Sequence, residues 1–162
     1  MKRFVFTGVF LMILTITGFS QIEKKTILIG GYANFTTMRD YSVFSLNPNS
    51  GLFLTDRFCL GVSLPLIYIS GDLYWGLAPF GRYYFNPKEL KSLYISGSIG
   101  ITYFINSERT LTNNALTLGI GHVWFLNKSV GFEVEAQGNT SFRDVDFGLF
   151  LGFQIYFNKS KD

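Results

Sequence analysis

The side chains able to do acid–base, metal or nucleophilic chemistry are few in this sequence and widely spread. His122 is the only histidine and Cys59 the only cysteine. Metal sites built from several imidazoles, and proton relays through histidine, therefore have little to work with. A lipid-cleaving centre would need a serine and a carboxylate beside His122. The segment His122-Val123-Trp124 has no neighbouring serine, and Glu133 and Glu135 are expected to face the other side, so His122 reads as an interfacial or packing residue. The glycine-rich stretches Ser96-Gly97-Ser98-Ile99-Gly100 and Gly119-Ile120-Gly121 lack the strand–loop–helix setting of a phosphate loop and read as close-packing glycines in strands. No catalytic, cofactor-binding or metal-binding residue is assigned. What remains is Arg82 with Glu133 and Glu135, charges set well inside apolar segments. Arg82 facing the two carboxylates would form a structural interior network with Gln137 and Gln154, because a guanidinium taken out of water needs a counter-charge. A proton or ion path is the alternative use of the same residues.

These residues sit in a chain of alternating segments. From Lys25 onward, stretches rich in Phe, Tyr, Ile, Thr and Gly are separated by polar or turn-forming residues, the signature of barrel strands. The predicted strands are 25–36, 42–54, 58–69, 73–85, 92–105, 113–126, 129–140 and 145–157. In 129–140, Val130, Phe132, Val134 and Ala136 share one face, and Glu133, Glu135, Gln137 and Asn139 the other. In 145–157, Phe147, Leu149, Leu151, Phe153, Ile155 and Phe157 oppose Asp146, Gly148, Gly152, Gln154 and Tyr156. In 73–85, Trp75, Leu77, Pro79, Tyr83 and Phe85 point one way, with Tyr74, Gly76, Ala78, Arg82 and Tyr84 the other way. All three mid-strand charges fall on the more polar face, as in a barrel with lipid outside and a polar interior. The phasing also gathers outward aromatics into two girdles: Phe58, Tyr83, Phe85, Trp124, Phe132 and Phe157 at one rim, and Phe35, Phe44, Tyr68, Trp75, Tyr103 and Phe147 at the other. Pro48, Pro65 and Pro79 lie within strands, where each removes a ladder donor and a bulge would switch the facing locally.

The 162 residues, 48% hydrophobic and 18% aromatic, suffice for one domain. Residues 1–20 run from Lys2 and Arg3 through the apolar stretch Phe4 to Ile16 to Gly18-Phe19-Ser20, the pattern of a secretory signal peptide. The domain is then 21–162, and its net charge, without Lys2 and Arg3, is 12 − 11 = +1, which gives no case for nucleic-acid binding. Cys59 lies far from the signal end, so lipoprotein acylation is not indicated, and a single cysteine forms no internal disulfide. After Gln21 no apolar run is long enough for a membrane helix, yet the mean hydropathy is positive. Helices and closed barrels are the only forms that pair every backbone group in hydrocarbon, which leaves the barrel.

The segments "KTILIGGYANFT" (25–36), "RFCLGVSLPL" (57–66), "APFGRYYF" (78–85), "GFEVEAQG" (131–138) and "FGLFLGFQIYF" (147–157), after a signal ending in Gly-Phe-Ser-Gln, resemble the small porin-like outer-membrane β-barrel family of Bacteroidota. The resemblance implies passage with periplasmic chaperones and insertion by the barrel-assembly machinery, which reads a final strand ending in an aromatic residue. Phe157 matches; Asn158 to Asp162 follow it. It also implies periplasmic termini, placing short extracellular loops near 37–41, 70–72, 106–112 and 140–144. The expectation is an all-β, about eight-stranded antiparallel up-and-down transmembrane barrel, exported to the outer membrane, with its interior filled by side chains. It would be a monomer in contact with outer-membrane lipids, without cofactor or enzymatic activity, and with a structural or surface-interacting role; any extracellular partner is unspecified. A narrow pore, a lipid-modifying enzyme and a soluble ligand-binding barrel are the alternatives.

Overall fold

A computed structural model describes residues 22–37, 42–69, 71–106, 109–141 and 144–158, with the backbone alone for 36–37, 101–106, 109–115, 141 and 144–146. The expected signal peptide, 1–20, and the tail 159–162 lie outside the described residues. Nine β-segments follow one another: β1 (Ile27–Thr37), β2 (Ser42–Phe53), β3 (Phe58–Ser63), β4 (Leu66–Ile69), β5 (Asp72–Tyr84), β6 (Lys91–Asn106), β7 (Arg109–Phe125), β8 (Val130–Ser141) and β9 (Asp144–Phe157). Both β3 and β4 lie between β2 and β5 in one unbroken register, with Asn49 opposite Ser63 and Leu46 opposite Leu66. They are the two halves of a single strand interrupted at Leu64 and Pro65. Eight strands therefore pair antiparallel in sequence order, and β1 closes the sheet onto β9, with Ile27 opposite Phe157. The result is a closed up-and-down barrel with no helix among the described residues.

The prolines fit without bulges. Leu64 N–H donates to the Pro48 carbonyl at 2.9 Å, and Gly76 N–H donates to the Pro65 carbonyl at 2.9 Å. In each pair the proline has no N–H to return, so half of a two-bond pair survives. At Pro79 the β5–β6 ladder pauses between Leu77 opposite Ile101 and Phe80 opposite Ser98, then resumes in the same register. The inside–outside alternation consequently runs through all three positions unchanged.

The boundary that differs most from the sequence reading is the β6–β7 connection. The break expected at 106–112 shrinks to two residues, because Arg109 to Thr112 find main-chain partners from Asn106 to Tyr103 on β6. Their polar side chains read as loop, but the ladder's main-chain hydrogen bonds set the boundary. The connections at this loop end are 38–41, 70–71, 107–108 and 142–143, and Gly71, just before β5, has φ +99°, in the left-handed region that favours glycine. At the opposite, terminal end the turns are 54–57, 85–90 and 126–129. There Thr26 hydrogen-bonds Asn158, and Ile22, held through its N–H to the Pro87 carbonyl at 3.2 Å, is fully buried under the core. That core is interior and terminal-sided: Leu28, Phe53, Tyr84, Tyr94, Phe125 and Tyr156 pack together with Ile22.

Candidate functional site

Strand alternation puts one residue in two inside, and the interior residues with chemistry converge on Glu133. This carboxylate is fully buried. Tyr156 O–H donates to its Oε1 at 2.7 Å, Tyr32 O–H donates to its Oε2 at 2.7 Å, and the Arg82 guanidinium reaches Oε2 at 3.3 Å. Tyr84 is 3.4 Å from the Tyr156 hydroxyl and extends the chain by one link. The Tyr94 hydroxyl stands 3.0 Å from Glu135 Oε2, 3.2 Å from Glu133 Oε2 and 3.0 Å from the Tyr32 hydroxyl. Its single proton serves one of them at a time. Glu135 also accepts from Ser96. Arg82 is sandwiched among rings, its guanidinium carbon 4.9 Å from the Phe80 centroid, 5.2 Å from Tyr32 and 5.3 Å from Tyr94. A guanidinium is weakly hydrated and stacks on aromatic faces, so it tolerates this dry cage better than an ammonium would.

Glycines make the reach possible. Glu133, Gly152 and Tyr32 stand side by side on β8, β9 and β1. With no side chain between them, the tyrosine spans a whole strand to the carboxylate. A Cβ on Gly152 would sit 2.6 Å from the Tyr32 ring. Tyr94, Gly121 and Glu135 repeat the arrangement on β6, β7 and β8, and a Cβ on Gly121 would collide with the Tyr94 ring.

Of the residues expected in the interior network, Arg82, Glu133 and Glu135 are thus brought together, with Tyr94 linking the second carboxylate to the first. Gln154 is fully buried inside but neither of its amide atoms has a hydrogen-bond partner. Gln137 lines the cavity above the layer. The tyrosines Tyr32, Tyr84, Tyr94 and Tyr156 went unassigned to the network, although each falls on the inward phase of its strand; every second residue from outward-facing Ile27 and Ile29 leaves Tyr32 inside.

Toward the loop end the packing gives way to a cavity of about 620 Å³. Side-chain filling therefore holds over the terminal half, while toward the loop end the described side chains leave this cavity open. Arg82, Glu135, Asn47, Asn49, Phe80 and Phe150 are among its walls. Asn49 is 6% exposed, and both its amide atoms, together with Asn47 Oδ1 and Arg82 Nε, lack a hydrogen-bond partner.

The outer face is different in kind. His122 points outward and lies over Trp124, ring centroids 4.3 Å apart, on the opposite side of the sheet from Glu133 and Glu135. Phe35, Phe44 and Tyr68 form one row across β1, β2 and β4, with Trp75 and the strongly exposed Phe147 near the same end; the side chain of Tyr103 lies outside the described residues. At the terminal end Tyr83 meets Phe85 edge-on at 5.4 Å, Phe58 stands opposite Tyr83, and Trp124 stacks on Phe132 at 6.1 Å. Phe157 completes that rim. Cys59 is buried inside as a free thiol. Among the described residues no group of three His, Cys, Asp or Glu side chains is placed to hold a metal ion.

No protein-family model matches the chain, and no curated protein matches it. Solved structures do. The chain is similar to the N-terminal β-barrel domain of Pseudomonas aeruginosa OprF, with TM-score 0.67 and 15% identity over 83% of this chain and 98% of that one. It is also similar to the outer membrane protein OprG of the same organism, with TM-score 0.60 and 14% identity over 86% and 99%. Neisserial surface protein A gives TM-score 0.59 and 12% identity over 82% and 96%. The fold is an eight-stranded outer-membrane-type barrel. Each of the three compared chains is covered almost end to end, so the likeness extends over a whole barrel and not a shared fragment.

Proposed function

We propose that this chain is an integral outer-membrane β-barrel protein with a structural or surface-interacting role. The observation that carries the reading is the outer face. Thirty large apolar or aromatic side chains are more than a third exposed there and at the strand ends, whereas Lys91, at the terminal end of β6, is the only charged side chain on the outward phase of the described strand residues. A soluble barrel exposes apolar patches of roughly 300 to 600 Å² at most; a continuous apolar wall belongs in lipid. The aromatic rows at both ends suit the two membrane interfaces. The compared structures include an outer membrane protein and a surface protein, which supports the same location. In this reading residues 1–20 direct export, outer-membrane lipids surround the folded monomer, and chaperones and the barrel-assembly machinery act before closure. Loop-end connections of two to four residues offer little area against the roughly 800 Å² per partner of a specific interface, which favours an architectural role over loop-mediated recognition.

Gel mobility of the protein in isolated outer membranes, with and without boiling, tests this. A boiling-dependent shift in that fraction is expected. Recovery in the soluble periplasmic fraction with no shift would overturn the membrane reading. The hollow loop half favours a second reading, a narrow pore for ions or small solutes. The layer of Tyr84, Tyr94, Tyr156 and Phe53 lies across its path, and planar-bilayer recordings of the wild type against Arg82→Ala separate the two.

A further inference from the structure

The cavity has the size of a small-molecule site, within the roughly 300 to 1,000 Å³ usual for one, and the usual make-up of apolar walls with few polar groups. Two charged residues stand on its wall, Arg82 and Glu135, and Arg82 is committed to Glu133 at 3.3 Å, a carboxylate outside the cavity wall. Glu135 does line the cavity, is 1% exposed, and is held only by the neutral hydroxyls of Tyr94 and Ser96. Among the described residues it has no cationic partner. Hydroxyl donors alone leave a buried carboxylate short of a counter-charge. Further along the wall, Asn47 Oδ1 and Asn49 Oδ1 are acceptors with nothing bonded to them, and Val43, Ile67 and Phe150 supply apolar surface.

We propose that this cavity binds a small organic cation, a primary ammonium on an apolar body, with Glu135 as its charge partner and the Asn47 and Asn49 amides as hydrogen-bond acceptors. The ammonium brings three donors and the missing positive charge; the body fills the apolar part. Arg82 also stands on the wall with its Nε unpartnered, but its charge is shared with Glu133 at 3.3 Å and its faces are covered by rings, which leaves Glu135 as the charge open to a ligand. The inference rests on the barrel interior and holds whether or not the outer wall meets lipid.

The test is calorimetric titration of the full folded barrel in detergent with benzylammonium, benzyl alcohol and benzoate, three ligands of one shape and different charge. Benzylammonium is expected to bind saturably and at least about tenfold more tightly than the other two, the effect of one charge-assisted contact. Glu135→Gln is expected to lose about tenfold in benzylammonium affinity and to level the discrimination. Ser98→Trp, which fills the cavity away from the Glu133 layer, is expected to abolish binding while the boiling-dependent shift persists, and it reads the proposal even if Glu135→Gln does not fold. Absence of saturable binding, preference for benzoate or benzyl alcohol, or undiminished binding in the folded variants would overturn it.

Discussion

Glu133 and Arg82 are each other's reason for being inside. Removing only the carboxylate, as in Glu133→Gln, leaves a guanidinium buried without counter-charge, which costs about 3–5 kcal/mol. Urea unfolding of the barrel refolded in lipid vesicles should show that loss, and Arg82→Leu in the same chain should recover a large part of it. A single variant within about 1 kcal/mol of wild type would mean the pair is dispensable. The glycine aisles predict a second effect. Gly152→Val places atoms against the Tyr32 ring and the neighbouring backbone and should destabilise by about 1–3 kcal/mol, visible as a lower temperature for loss of the compact gel form. At this scale the sequence was half legible. Arg82, Glu133 and Glu135 stood out because charge is rare in apolar segments. The four tyrosines did not, since an inward tyrosine and a girdle tyrosine differ only in strand phase. The isolation of Gln154 was not legible at all, because whether a buried amide finds a partner depends on which strands lie beside it.

Alternation is a property of whole strands, and it survives where local chemistry would break it. Pro48, Pro65 and Pro79 each remove a donor, yet neighbouring strands hold the register through them. The prediction is asymmetry between faces of adjacent strands. Ile120→Arg, on the outward face of β7, should cost about 2–4 kcal/mol in vesicles, whereas Gln137→Arg, facing the cavity of β8, should cost markedly less; equal costs would mean the outer face is not in hydrocarbon. Strand number and phase were readable because one face is apolar for ten residues at a time. The start of β7 was not, as Arg109, Thr110, Thr112 and Asn113 carry a loop composition while their backbones pair with β6. The halving of one strand into β3 and β4 likewise reflects where proline falls in the ladder, which a list of apolar positions does not contain.

At the scale of the whole molecule, the connections between strand bounds at the loop end span only two to four residues. Trypsin added to intact cells should therefore leave the protein uncut, and cleavage would show that the connections are more accessible than two to four residues suggest. Cys59 gives a matching probe from inside: its thiol is fully buried, so maleimide should label it only after boiling, and labelling of the folded form would mean the terminal half admits solvent. Closed-barrel architecture was legible from the even strand count and the lack of a membrane helix. The division of the interior into a packed half and a hollow half was not, because it depends on which strands bring glycine and which bring aromatics to the same level.

The pairing of β1 with β9 has a consequence in time. Every other pairing joins strands that are neighbours along the chain, so each can form at the small entropy of a short loop. The last seam joins Ile27 to Phe157, and its β9 partner is the last of the eight barrel strands in chain order. Until Asp144–Phe157 is in place, any paired hairpins expose two raw sheet edges, each able to template association with another chain. The barrel cannot close before β9 is available to β1, and its apolar wall must be kept from other chains until then.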